Sequence, residues 1–159
     1  MVSEAALILI AYDGSEVSRA AVRHAAELFA GRPAVLATVW EPGLAAVQGA
    51  MPGMGMGMGT DPTTIEEVDR VAREHASAVA ADGAEFARSL GLVAEPQAVP
   101  DEVDVADTLI DIAGDRGAAA VVVGSHGISG LRTRLLGSVS RKLIKHCDLP
   151  VLVIRDASS

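Results

Sequence analysis

Aromatic residues are almost missing from this chain: two Phe, one Tyr and one Trp in 159 residues. Half of the residues are nevertheless hydrophobic, so a core has to be built from Val, Leu, Ile and Ala, and the length suits one domain with a real interior. Cysteine is equally scarce. Cys147 stands alone, which excludes an internal disulfide and fits a reducing compartment. Basic charge is in short supply, 13 Lys and Arg against 21 Asp and Glu for a formal charge of −8, the wrong sign for general nucleic-acid or anionic-membrane binding. No apolar run reaches the ~18 residues of a spanning helix. The opening MVSEAALILIAYDGS carries an early acid and a short apolar run that ends at Asp13-Gly14, unlike a secretory signal. These absences predict a cytoplasmic protein with neither a nucleic-acid nor a membrane partner.

Short apolar runs alternate with amphipathic stretches. ALILIA (6–11) reads as a strand buried on both faces and AVLATVW (34–40) as a second buried strand, with VAEPQAV (93–99), AAAVVV (118–123) and VLVI (151–154) as three more strands. Between the first two, Val17, Ala20, Ala21, Ala25 and Leu28 form one helical stripe, with Ser15 as N-cap and Gly31 with Pro33 as the stop. A second helix is expected from near Thr63, where Thr63 and Glu66 have capping-box spacing, to about Leu90, with Ile65, Val68, Ala72, Val79, Phe86 and Leu90 inward. VADTLIDIA and SVSRKLIKHC supply two more, and Pro96 marks the third strand as an edge. The order β-α-β-α-β-α-β-α-β predicts an α/β fold: a single doubly wound five-stranded parallel sheet with helices on both faces, one domain over 1–159. Residues 41–62, with Met-Gly alternation, are too long for an ordinary connection. They read as a mobile insertion, with a methionine-rich lid as the sharper alternative.

The fourth strand opens into GSHGISGLRTRLLGSVS, Gly124 to Ser140. Basic residues gather in the same region: Arg116, Arg132, Arg134, Arg141, Lys142 and Lys145 fall between Arg116 and Cys147 without one acid. In a doubly wound sheet, ligands bind beyond the carboxyl ends of the strands where the winding reverses. YDGS after the first strand, VWEP after the second and this stretch after the fourth all leave such ends, and converge if the first and fourth strands are neighbours. Gly124, Gly127 and Gly137 let backbone N–H groups approach an anion. Gly137-Ser138 stands where the last helix begins, with its free N–H groups and positive pole, and Ser138 and Ser140 add hydroxyls. A flexible surface loop and a tight packing corner are the alternatives, but a packing corner does not require the serines. The stretch is neither a P-loop nor a dinucleotide fingerprint, since G-x-x-x-x-G-K-[ST] and G-x-G-x-x-G are absent. The first loop has no H-x-G-H or S-G-G-x-D-S sequence for adenylyl transfer.

The spacing G-2x-G-9x-G-[ST], with YDGS after the first strand and LPVLVI near the end, resembles the universal stress protein family, in particular its ATP-binding branch. The likeness covers the chain except for 41–62. It implies the adenine nucleotide alpha hydrolase-like arrangement with strand order 3-2-1-4-5, and ATP, with Mg²⁺ or Mn²⁺ carried on its phosphates, as the ligand. By this resemblance Ala11, Tyr12 and Asp13 border the nucleotide, Asp13 at the ribose or near a phosphate-bound metal, and Val39 meets adenine through its backbone. Val123, Gly124 and Gly127 line ribose and phosphates; Gly137, Ser138, Val139 and Ser140 wrap the terminal phosphates. The likeness also implies a homodimer through the last strand and a nucleotide-dependent stress-response module; a slow ATP hydrolase, or a binder of AMP or cyclic AMP, is the alternative. Thr38 replaces a histidine often seen at that place.

The remaining reactive side chains carry less. Asp13 is also an ordinary turn former and helix cap. His126, between two motif glycines, is read as solvent-facing, with a phosphate contact or help to a water as the alternative, and Arg132 and Arg134 as either phosphate-screening or part of a flap. His24 and His75 read as partly buried fillers, His146 as favourable charge at a helix end, and Cys147 as a small core residue. The histidines and Cys147 lack zinc spacing, so no protein-only metal site is expected.

Overall fold

The computed structural model of the chain describes residues 6–43, 62–127 and 136–155. Along these run β1 (Ile8–Ala11), α1 (Glu16–Leu28), β2 (Pro33–Trp40), α2 (Pro62–Ser89), β3 (Val93–Pro100), α3 (Val105–Asp115), β4 (Ala120–Gly124), α4 (Ser138–His146) and β5 (Val151–Ile154). The strands form one five-stranded parallel sheet in the order β3-β2-β1-β4-β5. The expected α/β architecture is therefore present, with β3 and its Pro96 on an edge. The winding reverses between β1 and β4, which pair from Ile8 opposite Ala120 to Ile10 opposite Val122.

Alternation along each strand divides the interior into two layers. Ile8, Ile10, Ala34, Leu36 and Val122 pack with α1 and α2 on one face. Leu9, Val35, Ala37, Val121 and Val123 pack with α3 and α4 on the other. The largest fully buried side chains are aliphatic, among them Ile8, Leu9, Ile10, Leu36, Leu109 and Leu143, each stabilising the fold by roughly 1.5–3 kcal/mol through burial.

Helix ends follow local chemistry. Ser15, extended at φ −68°, ψ 158°, caps α1 by accepting from the N–H of Ser18 at 3.2 Å. Asp104 caps α3 through the N–H groups of Ala106 and Asp107. Other expectations are corrected. α2 begins at Pro62, so Thr63 lies inside its first turn rather than in front of it; proline tolerates that place because the first N–H has no helical partner. The fully buried stripe of α2 is Ala76, Ala80, Gly83, Ala84 and Ala87, small side chains that bring the helix close to the sheet, while Val79 and Phe86 pack against the same core partly buried. Leu28 and Leu90 are exposed, as are His24 and His75, which are not core fillers. Cys147 is half-buried against the α3–α4 layer. Within the insertion 41–62, residues 44–61 lie outside the described residues, as do Arg132 and Arg134.

Candidate functional site

Beyond the carboxyl ends of β1, β2 and β4, a cavity of about 430 Å³ opens at the winding reversal, within the usual size of small-ligand sites. All the sequence-predicted site residues line it. Ala11, Tyr12 and Asp13 come from the end of β1 and Val39 from β2. Val123, Gly124 and Gly127 come from β4 and its loop, and Gly137, Ser138, Val139 and Ser140 from the start of α4. Ala37, Val39, Val105, Leu109, Val123 and Val139 give the cavity an apolar flank on the α3–α4 side.

The three motif glycines do different things. A Cβ on buried Gly124 would lie 2.5 Å from Cγ1 of Val17, so this glycine lets α1 pack against β4. A Cβ on Gly127 would lie 2.8 Å from Oδ2 of Asp13, so the second glycine lets the loop approach that carboxylate. Gly137 works through its backbone: its N–H donates to the Ser125 carbonyl at 2.6 Å, where a Cβ would be within 3.2 Å of the same oxygen. A packing contact, at Gly124, and an exposed glycine, at Gly127, thus coexist in one motif.

Asp13 accepts from the N–H of Ser15 through Oδ1 at 3.0 Å, and Gly14 takes φ +81° to complete the turn. The turn-forming role is therefore real, while Oδ2 of the same carboxylate faces the Gly127 loop. Tyr12 is locked in place. Its N–H donates to the Ala37 carbonyl, its carbonyl accepts from the buried Thr38 hydroxyl at 2.8 Å, and its own hydroxyl donates to Asp82 on α2. Thr38, where the resembling family often carries histidine, thus fastens β2 to the chain leaving β1. Burial, then the hydrogen bond and charge of Asp82, raise the Tyr12 phenol above its ordinary value, with Arg19 opposing them.

At the start of α4, Gly137 is the N-cap and makes no side-chain cap bond. The first intrahelical bond runs from the N–H of Arg141 to the carbonyl of Gly137 at 3.1 Å, so the N–H groups of the first turn have no helical acceptor. Ser138 is exposed at this end. Ser140 is not: its hydroxyl is buried and has the carbonyls of Ser125 and Gly137 at 3.2 and 3.1 Å. It braces the helix start against the β4 loop. His126 is half-buried rather than fully solvent-facing, and its Nδ1 lies 3.1 Å from the Ser125 hydroxyl.

Sequence reasoning overlooked Ser18, Ala37, Val105, Leu109, Ser125, Leu136 and Arg141 as lining residues. Arg141 had a signal, because it is three residues after Ser138 and so shares its side of the helix. Beside it, the Lys142 ammonium bridges Asp104 at 3.0 Å and Asp107 at 2.7 Å, clamping α4 to α3. The Asp107 and Asp104 carboxylates raise Lys142 above its ordinary value, and Lys142 in turn lowers Asp104. Among the described residues, no group of three or more His, Cys, Asp or Glu could hold a metal, and no helix is long and apolar enough to cross a membrane.

Comparison with known proteins gives the family and the fold. Residues 7–155 match the Universal stress protein family. The chain is 30% identical over 159 residues to universal stress protein YxiE of Bacillus subtilis, covering 93% of this chain and 97% of the relative. Its fold is similar to that of protein MJ0577 of Methanocaldococcus jannaschii, with a TM-score of 0.76 at 23% identity over 98% of this chain and 99% of the other. It is also similar to the universal stress protein of Archaeoglobus fulgidus solved in complex with dAMP, with a TM-score of 0.58 at 22% identity over 94% and 96%.

Proposed function

The chain belongs to the universal stress protein family, and from that premise we propose that it is an ATP-binding, nucleotide-dependent stress-response module of the cytoplasm. One observation carries the reading. The ends of β1, β2 and β4 and the uncapped start of α4 converge on a single cavity, apolar on one flank and rich in N–H donors and hydroxyls on the other. The apolar flank suits a base, with Val39 beside it. The α4 terminus suits phosphate, because unpaired N–H groups and the helix's positive pole point the same way. Mg²⁺ or Mn²⁺ arrives on the phosphates, with Asp13 as the acid of the cavity wall closest to the Gly127 loop. The ligand orders the loop and the nearby surface, so that occupancy decides which partner is engaged.

Self-association through β5 belongs to the same proposal: β5 is an edge strand, and Val151, Leu152 and Val153 on it are only half-buried. An adenine monophosphate is the second reading, favoured by the dAMP of the Archaeoglobus fulgidus relative. Native mass spectrometry of the purified protein, before and after adding Mg·ATP, tests the proposal. The expected species is a dimer carrying one adenine nucleotide per chain. Absence of any nucleotide-bound species overturns the ligand, and a monomer throughout overturns the dimer.

A further inference from the structure

We infer that Arg141 sets how strongly the site favours a nucleoside triphosphate over a monophosphate; the inference rests on the adenine-nucleotide reading above. Arg141 lines the cavity together with Ser138, from the first turns of α4. This is an awkward place for a cation. The N-terminal end of a helix carries a partial positive charge of about half an elementary unit, which favours acids and opposes Arg. The first turn of α4 holds no acid to compensate. Nor does Arg141 form an ion pair among the described residues, whereas Lys142 beside it is held by Asp104 and Asp107. An exposed guanidinium placed against a helix dipole, unpaired and facing a cavity, is suited to an anion that arrives from outside.

The charge balance of the cavity points the same way. Among the described lining residues, the permanently charged side chains are Asp13 and Arg141. Arg141 is thus the permanent cation among the described lining residues, in a chain with a formal charge of −8. Each phosphate added to a nucleotide brings at least one more negative charge, so the longer the chain, the more its binding depends on the guanidinium. Arg also presents several N–H donors in a planar fork that meets two phosphate oxygens at once, a geometry that lysine lacks. Base and ribose contacts are the same for ATP and AMP, so Arg141 acts on the difference between them.

Calorimetric titration of ATP and AMP in the presence of Mg²⁺ tests this on wild type, Arg141→Gln, Arg141→Lys and Lys145→Gln. Lys145 is the charge-matched control: it is exposed in the last turn of the same helix and does not line the cavity. In Arg141→Gln the ratio of ATP to AMP affinity falls about tenfold or more, the size of a lost charge-assisted hydrogen bond. Arg141→Lys retains part of the ratio, and Lys145→Gln stays within about twofold of wild type. An unchanged ratio in Arg141→Gln, or an equal fall in Lys145→Gln, overturns the inference while leaving the nucleotide site standing. A wild type that takes up neither nucleotide removes the nucleotide reading itself, and the inference with it.

Discussion

The hydroxyl of Tyr12 donates to a carboxylate oxygen of Asp82 at 3.0 Å, so the chain leaving β1 at the cavity rim is tied to the C-terminal third of α2. Arg19 of α1 joins the same cluster, donating to the Tyr12 oxygen at 3.2 Å, pairing with Asp82 at 3.3 Å and lying 4.3 Å over the Phe86 ring. Gly83, the next residue on α2, makes the approach possible, because a Cβ there would lie 2.6 Å from a carbon of the Tyr12 ring. In a chain nearly devoid of aromatics, its only tyrosine is placed where α1, α2 and the site meet.

Gly83→Ala sets two effects against each other. Alanine favours a helix interior by about 1 kcal/mol over glycine. Its methyl group meets a ring that cannot swing aside without losing Asp82, and overpacking of this kind costs roughly 1–3 kcal/mol. The clash prevails, and urea unfolding is expected to show a lower midpoint at an unchanged slope, a net loss of about 1 kcal/mol. A midpoint at or above that of wild type would mean that the ring yields freely.

The Tyr12 phenol makes stability fall at alkaline pH. Its native pKa lies above the ordinary 10.0, so the unfolded chain releases this proton first as pH rises. The native state then holds more protons than the unfolded one, and stability declines from about pH 10 up to the native pKa. Tyr12→Phe lacks this decline but lacks the Asp82 bond too, at a cost of about 1 kcal/mol near neutrality. The stability curves of the two proteins should therefore converge above about pH 10. As the chain has one tyrosine, its phenolate absorbance follows the titration directly. Curves that stay parallel contradict the argument.

The sheet was legible because β1, β2, β4 and β5 are predominantly apolar runs between amphipathic stretches, while β3, with Glu95, Pro96 and Gln97, has the composition of an edge. The cavity was legible because glycine spacing and strand ends are properties of the chain itself. What escaped were features set by tertiary distance. Leu28 and Leu90 satisfy the helical period, yet they are exposed. The fully buried residues of α2 are alanines and a glycine, which periodicity weighs lightly although close packing demands them. Ser140 has the same composition signal as Ser138, but only the fold shows that its hydroxyl faces the Ser125 carbonyl.

The Lys142 clamp gives stability a dependence on acid and salt. Asp104 is held below its ordinary value chiefly by the hydrogen bond from Lys142 and also by the N–H groups of Asp107 and Ala106. This contribution is present above pH 3.8, the ordinary value, and is lost as pH falls through the native pKa. Lys142 is raised above 10.5, so its share is present below that value and is lost as pH rises through the native pKa. Lys142→Ala should lower the thermal midpoint near neutrality, with the gap to wild type narrowing in acid and in high salt, because both partners are partly exposed. Asp104→Ala should cost more, about 1 kcal/mol, since α3 loses its N-cap. A gap unaffected by either acid or salt would exclude the ion pair as its source.

Gly124 and Gly127 stand three residues apart in one motif, yet their alanine variants should fail differently. At Gly124 the new methyl group would lie 2.5 Å from Cγ1 and 3.3 Å from Cβ of Val17, a buried residue of α1 with no room to retreat. Gly124→Ala is therefore expected to lose roughly 1–3 kcal/mol of stability, with nucleotide affinity falling as a consequence of the displaced helix. Gly127 is exposed, and among the described residues its methyl group would meet Oδ2 of Asp13, at 2.8 Å. Gly127→Ala should keep its unfolding midpoint within about 0.5 kcal/mol of wild type, as exposed substitutions do. It should bind Mg·ATP about tenfold more weakly, because the loop and the carboxylate can no longer close on each other. Urea unfolding and calorimetry on the same samples separate the two. Equal losses of stability in both variants would mean that the second glycine also serves packing, and an unchanged affinity in Gly127→Ala would remove the approach to Asp13 from the nucleotide site.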